Sequence, residues 1–453
     1  MENKFIRLAD LPPNPLDKNA LQHYKQMGMN VCLLTEDNVK LVSNGTVSAD
    51  YKRAIENISD CGMQVWIRNM FNDADYFQCE EKKLGSNYGW AYEMEPRHIT
   101  EEFEEFPAVT GFYMADEAYM YQLPEKLNID WMVKENHLFA SFDQLTKLVD
   151  WKNKYYPNAF FHMNHVPGQS WDHYLPRNGE IYNYEDFLTE YVNVILKRLK
   201  GCGRSLCLDN YPFIGENYME KDYLFDLMTA AKVARAYNAE ANAEDQVTFG
   251  ICIQTFEAKS IFDDRKRDVT MPEEVSLQMF AGMALGARLF EYFCYRSYGY
   301  EFFGILDPEG NDRIYDLVKT AGDRVGYFEP ILSQYDNVGG YMVPGSLYSY
   351  NTAAMVLAKE LFCKPYEISV QSEYDTLVGC FTRGQEKAYM LVNYTDPIRK
   401  CSSTVTLNGN GITKLKRYQD GNESILTAEN GMFTVTLDPG SCAFIVWTEN
   451  NDP

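Results

Sequence analysis

The sequence predicts an α/β protein in which a (β/α)₈ TIM barrel is followed by an all-β antiparallel sandwich domain. Over the first ~335 of the 453 residues, short apolar runs alternate with amphipathic runs of helical period. From about residue 338 the helical period disappears, and short alternating runs separated by turn residues replace it. We therefore place a barrel domain at residues 1–337 and a sandwich domain at residues 338–453.

Eight apolar runs in the first domain are predicted strands: 5–9, 31–35, 63–68, 110–114, 159–163, 205–208, 247–253 and 288–293. The predicted helices are 16–27, 49–61, 100–106, 137–156, 184–200, 218–237, 272–285 and 312–332, and residues 69–97 are predicted to be irregular. Alternating βα units indicate a parallel sheet, and eight units match a closed barrel. An open doubly wound sheet is the alternative, but the Gly-rich nucleotide turn expected of it does not occur.

The second domain contains eight short alternating runs: 354–357, 366–370, 377–381, 388–393, 403–407, 415–418, 433–437 and 443–447. Turn residues separate them, among them Asp438-Pro439-Gly440. This pattern is typical of an antiparallel sandwich. We interpret the domain as a structural module, with carbohydrate binding as the alternative.

Composition excludes several classes of protein. The formal charge of −23 argues against nucleic-acid partners, which require a basic surface. No apolar run approaches the ~18 residues of a membrane helix. The eleven cysteines are scattered and lack metal-site spacing, so we expect free thiols in a reducing compartment. The first residues lack the features of a signal peptide, which favours a cytoplasmic location unless such a peptide has been removed.

Polar residues follow the predicted barrel strands, where the active sites of such barrels lie. These residues are Asp10, Glu36, Arg68, Asp116, Glu117, Asn164, His165, Asp209, Tyr211, Gln254, Glu257 and Tyr295, with Glu291 inside the last strand. Hydrolysis of a glycosidic bond requires such a set: one acid to protonate the leaving oxygen, a second group at the anomeric carbon, and polar groups for the hydroxyls. The sequence therefore predicts a carbohydrate substrate.

The sharpest motif is the strand-like run 109–115 followed by Asp116 and Glu117. A carboxyl group held near other carboxylates has a raised pKa, as a general acid at neutral pH requires. The alternative is an acidic pair at a helix start, stabilised by the helix dipole.

These motifs resemble those of bacterial barrel glycosidases. Residues 111–117, Gly-Phe-Tyr-Met-Ala-Asp-Glu, are similar to their strand-four motif, and residues 209–213, Asp-Asn-Tyr-Pro-Phe, are similar to the end of their strand six. The stretch 271–295 is similar to their strand-seven to strand-eight region, and a C-terminal sandwich is usual for them. The resemblance implies that Glu117 is the acid/base.

The sequence departs from the commonest pattern of these enzymes in two places. Strand four carries Asp-Glu where Asn-Glu is usual, and Gln254 stands where a nucleophilic glutamate usually ends strand seven. Three alternatives follow for the second catalytic group. Asp209 or Glu257 acts as nucleophile or base; or Asp116 orients a substrate acetamido group beside Glu117, as in some hexosaminidases; or Glu291 serves.

We predict a glycoside hydrolase with Glu117 as acid/base, Asp116 as an orienting acid and Asp209 as the leading partner. The expected substrate contacts are Asn164, Tyr211, Gln254, Tyr295, Glu291 and Arg68. No cofactor and no metal site are expected, and the sequence does not indicate an oligomeric state. A non-catalytic glycan-binding barrel and a metal-dependent hydrolase are the alternative functions.

Overall fold

The computed structural model describes residues 5–35, 39, 42–43, 46–68, 77–83, 90–96, 107–115, 142–165, 184–214, 218–219, 221–258, 268–297, 302–349 and 366–448. The chain divides into two compact units. One comprises Met1–Arg7, Asn210–Lys232 and Ile251–Pro453, and the other comprises Leu8–Asp209 and Val233–Gly250.

Eight strands form a nearly closed parallel barrel, as predicted. They are β1 (Ile6–Ala9), β2 (Val31–Leu34), β3 (Gln64–Arg68), β4 (Val109–Ala115), β5 (Phe160–His165), β6 (Arg204–Leu208), β7 (Val247–Gln254) and β8 (Leu289–Phe293). Their order in the sheet is β1-β8-β7-β6-β5-β4-β3-β2, so each strand from β2 to β7 pairs with the next one in the chain, and β8 pairs with β1. The ladders from β2 to β6 are parallel. Each strand ends within two residues of its predicted bounds.

A tyrosine hydroxyl joins β1 and β2, the first and last strands of the sheet order. The Tyr24 hydroxyl accepts a hydrogen bond from the backbone N–H of Ala9 at 2.7 Å and donates one to the carbonyl of Val31 at 3.2 Å. Tyr24 is fully buried. A side chain therefore supplies hydrogen bonds between the two strands at the seam of the barrel.

The described helices are α1 (Lys18–Gln26), α2 (Ala49–Asp60), α3 (Phe142–Tyr155), α4 (Tyr184–Val194), α5 (Lys221–Glu240), α6 (Pro272–Ala284), α7 (Tyr315–Gly326) and α8 (Glu329–Leu332). Local sequence fixes their starts: the Asp17 carboxylate accepts hydrogen bonds from backbone N–H groups of α1, and the Ser48 hydroxyl does the same for α2. Among the described residues, no helix combines the length and the apolar character that crossing a membrane requires.

Two predictions in the first domain are corrected. The stretch 69–97, predicted to be irregular, contains an antiparallel hairpin of Phe77–Lys83 and Trp90–Pro96. The helix predicted at 312–332 is divided into α7 and α8, because Pro330 has no N–H to donate to the preceding turn. The helix predicted at 100–106 lies outside the described residues.

The C-terminal region is antiparallel, as predicted. Its strands are β9 (Asp336–Val343), β10 (Gly345–Tyr348), β11 (Ser369–Tyr374), β12 (Thr376–Arg383), β13 (Glu386–Asn393), β14 (Ser403–Asn408), β15 (Lys414–Gln419), β16 (Asn422–Thr427), β17 (Met432–Leu437) and β18 (Cys442–Thr448). One sheet has the order β9-β12-β13-β18-β15-β16 and the other β10-β11-β14-β17. The strands β10 and β11 run parallel, the exception among these pairs. Residues such as Leu391, Val405, Val435 and Ile445 form the common core.

Two further sequence predictions bear on this region. The predicted strand 354–357 lies outside the described residues, and the proposed boundary between residues 337 and 338 falls within β9. The nine cysteines whose side chains are described are all free thiols, as the sequence predicted, and eight of them are buried.

Helix α6 is enclosed on all sides. Every residue from Glu274 to Ala284 is buried. Asn337 of β9 donates its side-chain N–H to the carbonyl of Ala284 at 2.9 Å. A Cβ atom placed on Gly379 of β12 would lie 2.1 Å from the same carbonyl oxygen. The sandwich therefore approaches α6 so closely that only glycine fits at position 379.

We predict that Gly379→Ala destabilises the protein by about 1–3 kcal/mol, because the new methyl group overpacks this contact. The measurement is the free energy of unfolding in urea. The control is Gly326→Ala at the end of α7, where the nearest atom to a new Cβ would be 3.6 Å away. Equal effects of the two substitutions would contradict the prediction.

Candidate active site

Alternate residues of β3 to β6 form a stack of side chains inside the barrel. Trp66 of β3 stacks on Phe160 of β5 at 4.7 Å between ring centroids, and Tyr113 of β4 stacks on His162 of β5 at the same distance. His162 Nδ1 lies 2.8 Å from the Ser205 hydroxyl of β6. Residues of opposite parity face the helices, as the contact of Phe112 with Trp151 of α3 shows. Because successive side chains of a strand point to opposite faces, each strand has one face toward the barrel interior and one toward the helices.

Asn164 and Asp209 meet at the carboxyl ends of β5 and β6. The Asn164 side-chain N–H donates to Asp209 Oδ2 at 3.2 Å, and the backbone N–H of Asp209 donates to the carbonyl of His165 at 2.8 Å. Both side chains are largely buried, with 3% and 9% of their surface exposed. The structure thus brings together an expected catalytic acid and an expected substrate contact, at the end of the sheet where barrel active sites lie.

Arg68, at the end of β3, forms a buried ion pair with Asp10, which follows β1. The Arg68 guanidinium also lies over the ring of Tyr113, 4.4 Å from its centroid. The Asp10 carboxylate accepts a further hydrogen bond from the backbone N–H of Leu11 at 2.6 Å. Of the two roles open to Arg68, the structure shows pairing with a rim acid, and contact with substrate stays a prediction.

His165 faces the helices and not the barrel interior. Its ring packs edge-on against Tyr191 of α4, with 4.1 Å between centroids. Burial, and to a lesser degree the nearby His162, lowers the pKa of His165 to about 3. The imidazole is therefore neutral at physiological pH, and Asn164 is the better placed of the two for a sugar hydroxyl.

A half-buried aromatic cluster lies in the other compact unit, at residues that follow β6, β7 and β8. Tyr211 contacts Phe256 at 4.8 Å and Phe293 at 6.0 Å, and Phe302 contacts both phenylalanines. Tyr211, Phe293 and Phe302 keep part of their ring surface exposed, whereas Phe256 is buried. The sequence analysis identified Tyr211 alone. Phe256 and Phe293 could have been found from their position at strand ends, but the sequence analysis selected only polar residues there.

Three other expected contacts in that unit are buried. Glu291 has 1% of its surface exposed, and the Cys252 thiol lies 3.5 Å from its Oε2. Tyr295 is 2% exposed. Gln254 is fully buried, and its side-chain amide is hydrogen bonded to both backbone groups of Phe213. The substrate contacts expected of Glu291, Tyr295 and Gln254 stay predictions.

The two acids of the strand-four motif, Asp116 and Glu117, lie outside the described residues and stay predictions. Glu257, an alternative second carboxylate, lies in a short strand that pairs with Phe302–Phe303 and is half-buried.

The described residues define a (β/α)₈ barrel with polar residues at the carboxyl ends of its strands, joined to a C-terminal β-sandwich. Solved structures of similar fold include glycoside hydrolases. A GH42 β-galactosidase from G. stearothermophilus has a TM-score of 0.55 at 10% identity, with 99% of this chain and 98% of that chain covered. A family 39 glycoside hydrolase from Bacteroides cellulosilyticus WH2 has a TM-score of 0.51 at 11% identity, with 98% and 82% covered.

At this level of identity the likeness shows a shared fold alone. Neither a protein-family model nor a curated protein matches the sequence.

We predict that Asp10→Asn destabilises the protein by roughly 3–5 kcal/mol, because it breaks a buried ion pair by removing the charge of one partner. Asparagine keeps the acceptor for Leu11, so the change isolates the charge. The matched control is Asp50→Asn, which removes an exposed ion pair with Arg53 and should cost less than about 1 kcal/mol. Chemical unfolding measures both, and a small loss for Asp10→Asn would contradict the prediction.

A second prediction concerns pH. The unfolded chain protonates His165 near pH 6.5, whereas the folded protein resists protonation down to about pH 3. The free energy of unfolding should therefore fall as pH drops below about 6.5, by up to about 1.4 kcal/mol per pH unit from this residue. His165→Phe should show a smaller loss than the wild type between pH 6.5 and 4. Parallel curves for the two proteins would refute the assignment.

Proposed function

We propose that the protein is a glycoside hydrolase that cleaves a glycosidic bond in an oligosaccharide or glycan, with Glu117 as the general acid/base. The observation that carries the proposal is the pairing of Asn164 with Asp209 at the carboxyl end of the sheet. The strand that ends two residues before Glu117, β4, lies between β3 and β5 in the sheet. Residues that follow neighbouring parallel strands lie on one rim, so we expect Glu117 on the same rim as Asp209.

The proposed chemistry divides between two carboxyl groups. Glu117 donates a proton to the leaving glycosidic oxygen. Asp209 supports the positive charge at the anomeric carbon, either as nucleophile or as base for water, and its hydrogen bond from Asn164 orients the carboxylate. The paired-acid alternative, in which Asp116 orients an acetamido group, uses the same proton donor.

The aromatic cluster supports a carbohydrate ligand on separate grounds. Partly exposed rings of Tyr211, Phe293 and Phe302 offer flat apolar surfaces, and the C–H face of a pyranose stacks on such surfaces. We assign Tyr211 as a substrate contact because it also carries a hydroxyl.

The test is a panel of aryl glycosides that includes N-acetylhexosaminides, assayed with wild type and Glu117→Gln. We expect Glu117→Gln to lower kcat by about 10²–10⁴-fold on substrates with poor leaving groups, and far less on dinitrophenyl glycosides, which need no protonation. The control is Glu244→Gln, which alters an exposed glutamate. Full activity of Glu117→Gln on all substrates would contradict the assignment.

Other outcomes distinguish the alternatives. Activity confined to N-acetyl substrates favours the paired acids, and a large loss in Asp209→Asn favours Asp209. Tight glycan binding without turnover by the wild type would identify a non-catalytic barrel. Loss of activity in EDTA would favour a metal-dependent hydrolase, whereas we expect no effect.

A further inference from the structure

The side-chain amide of Gln254 makes the pair of hydrogen bonds to Phe213 that the backbone of a neighbouring strand would make. The backbone N–H of Phe213 donates to Gln254 Oε1 at 3.0 Å, and Gln254 Nε2 donates to the carbonyl of Phe213 at 3.3 Å. One donor and one acceptor of the amide thus pair with the two backbone groups of a single residue. No part of Gln254 is exposed. A buried arrangement of this kind requires a side chain with both a donor and an acceptor, because each backbone group would otherwise lose its partner.

A second glutamine, Gln278, makes the same kind of paired hydrogen bonds, in this case with the backbone of Gln254. The backbone N–H of Gln254 donates to Oε1 of Gln278 in α6 at 2.7 Å. The Nε2 atom of Gln278 lies 3.3 Å from the carbonyl of Gln254 and 3.2 Å from that of Glu274. Gln278 is also fully buried. The Gln278 amide therefore connects α6 to the end of β7. The Gln254 amide connects the end of β7 to the segment that follows β6.

That segment, Asn210–Phe213, is held at both ends. The Asn210 side-chain N–H donates to Asp226 of α5 at 2.8 Å, and its Oδ1 accepts the backbone N–H of Tyr211 at 2.8 Å. Phe213 is held by Gln254. Tyr211 lies between Asn210 and Phe213, and its ring contacts Phe256 in the half-buried aromatic cluster.

We propose that Gln254 and Gln278 are positioning residues, which fix the segment carrying Tyr211 so that its ring is presented to the substrate. The inference rests on the proposed function for the part that concerns substrate. Residue 254 must therefore supply a donor as well as an acceptor, which an ionised glutamate cannot do.

Gln254→Glu provides a chemical test of this requirement. A protonated carboxyl can offer Phe213 one donor and one acceptor, as the amide does, and can make both bonds. An ionised carboxylate has no donor and would face the Phe213 carbonyl. Burial raises the pKa of a carboxyl group. The variant should therefore resemble the wild type at acidic pH and lose the Phe213 contact as pH rises, whereas Gln254→Leu lacks the contact at every pH.

The first readout needs no substrate. Hydrogen exchange of the peptide containing residues 210–214 is measured at pH 5 and pH 8, each corrected for the intrinsic rate. We expect Gln254→Glu to exchange about 10-fold faster than wild type at pH 8 and nearly as slowly as wild type at pH 5, since loss of one hydrogen bond corresponds to about this factor. The control is Gln246→Glu, an exposed glutamine just before β7. Wild-type protection in Gln254→Glu at pH 8, or in Gln254→Leu, would overturn the proposal.

The second readout is kinetic. At pH 8 the KM of Gln254→Glu should rise about 10-fold, by as much as that of Tyr211→Ala, and the double variant should show no further rise, because both changes act through one ring. Additive effects would overturn the link to Tyr211. An inactive wild type would remove the proposed function, yet the exchange experiment would still decide whether Gln254 holds the segment.

Discussion

The parallel ladder in chain order is the constraint on which the rest of the molecule depends. Because β2 to β6 pair side by side in chain order, with register shifts near Val65 and near Tyr113, the side chains of Trp66, Tyr113 and His162 share the interior, and the residues that follow the strands come to one edge. The interior stack of Trp66, Tyr113 and His162 and the Asn164–Asp209 pair are both consequences of this order. A single register slip would exchange His162 for Met163, and the polar interior for an apolar one.

The polar layer at the strand ends is stabilised by its own pairing. Arg68 is held by Asp10 and by the ring of Tyr113, and Asp209 accepts from Asn164. Buried charges are tolerated only when they are paired or hydrogen bonded. The same pairing that permits these groups inside the barrel also fixes their orientation, as a catalytic site requires.

The eight strands and most of the helices could be predicted because their apolar runs are long and regular. The strands Phe77–Lys83 and β16 were not predicted because their sequences are mainly polar. Strands Trp90–Pro96, β9 and β10 were not predicted either. For the site, position at a strand end predicted Asp209 and Asn164, which the structure brings together. It did not reveal the hydrogen bonds between the Gln254 amide and the backbone of Phe213, because Phe213 is distant in sequence. The same limit hid Phe256 and Phe293, whose ring contacts depend on tertiary packing.

The complete burial of α6 changes how the C-terminal region is understood. A helix without an exposed face cannot be the outer layer of a barrel, so the sandwich serves as its cover. The hydrophobic pattern changes near residue 338, where the antiparallel sheets begin. The compact unit that contains α6 nevertheless continues across this position. A chain shortened before β9 would leave apolar helix surface in water and would be prone to aggregate. The sandwich therefore contributes directly to the packing of α6.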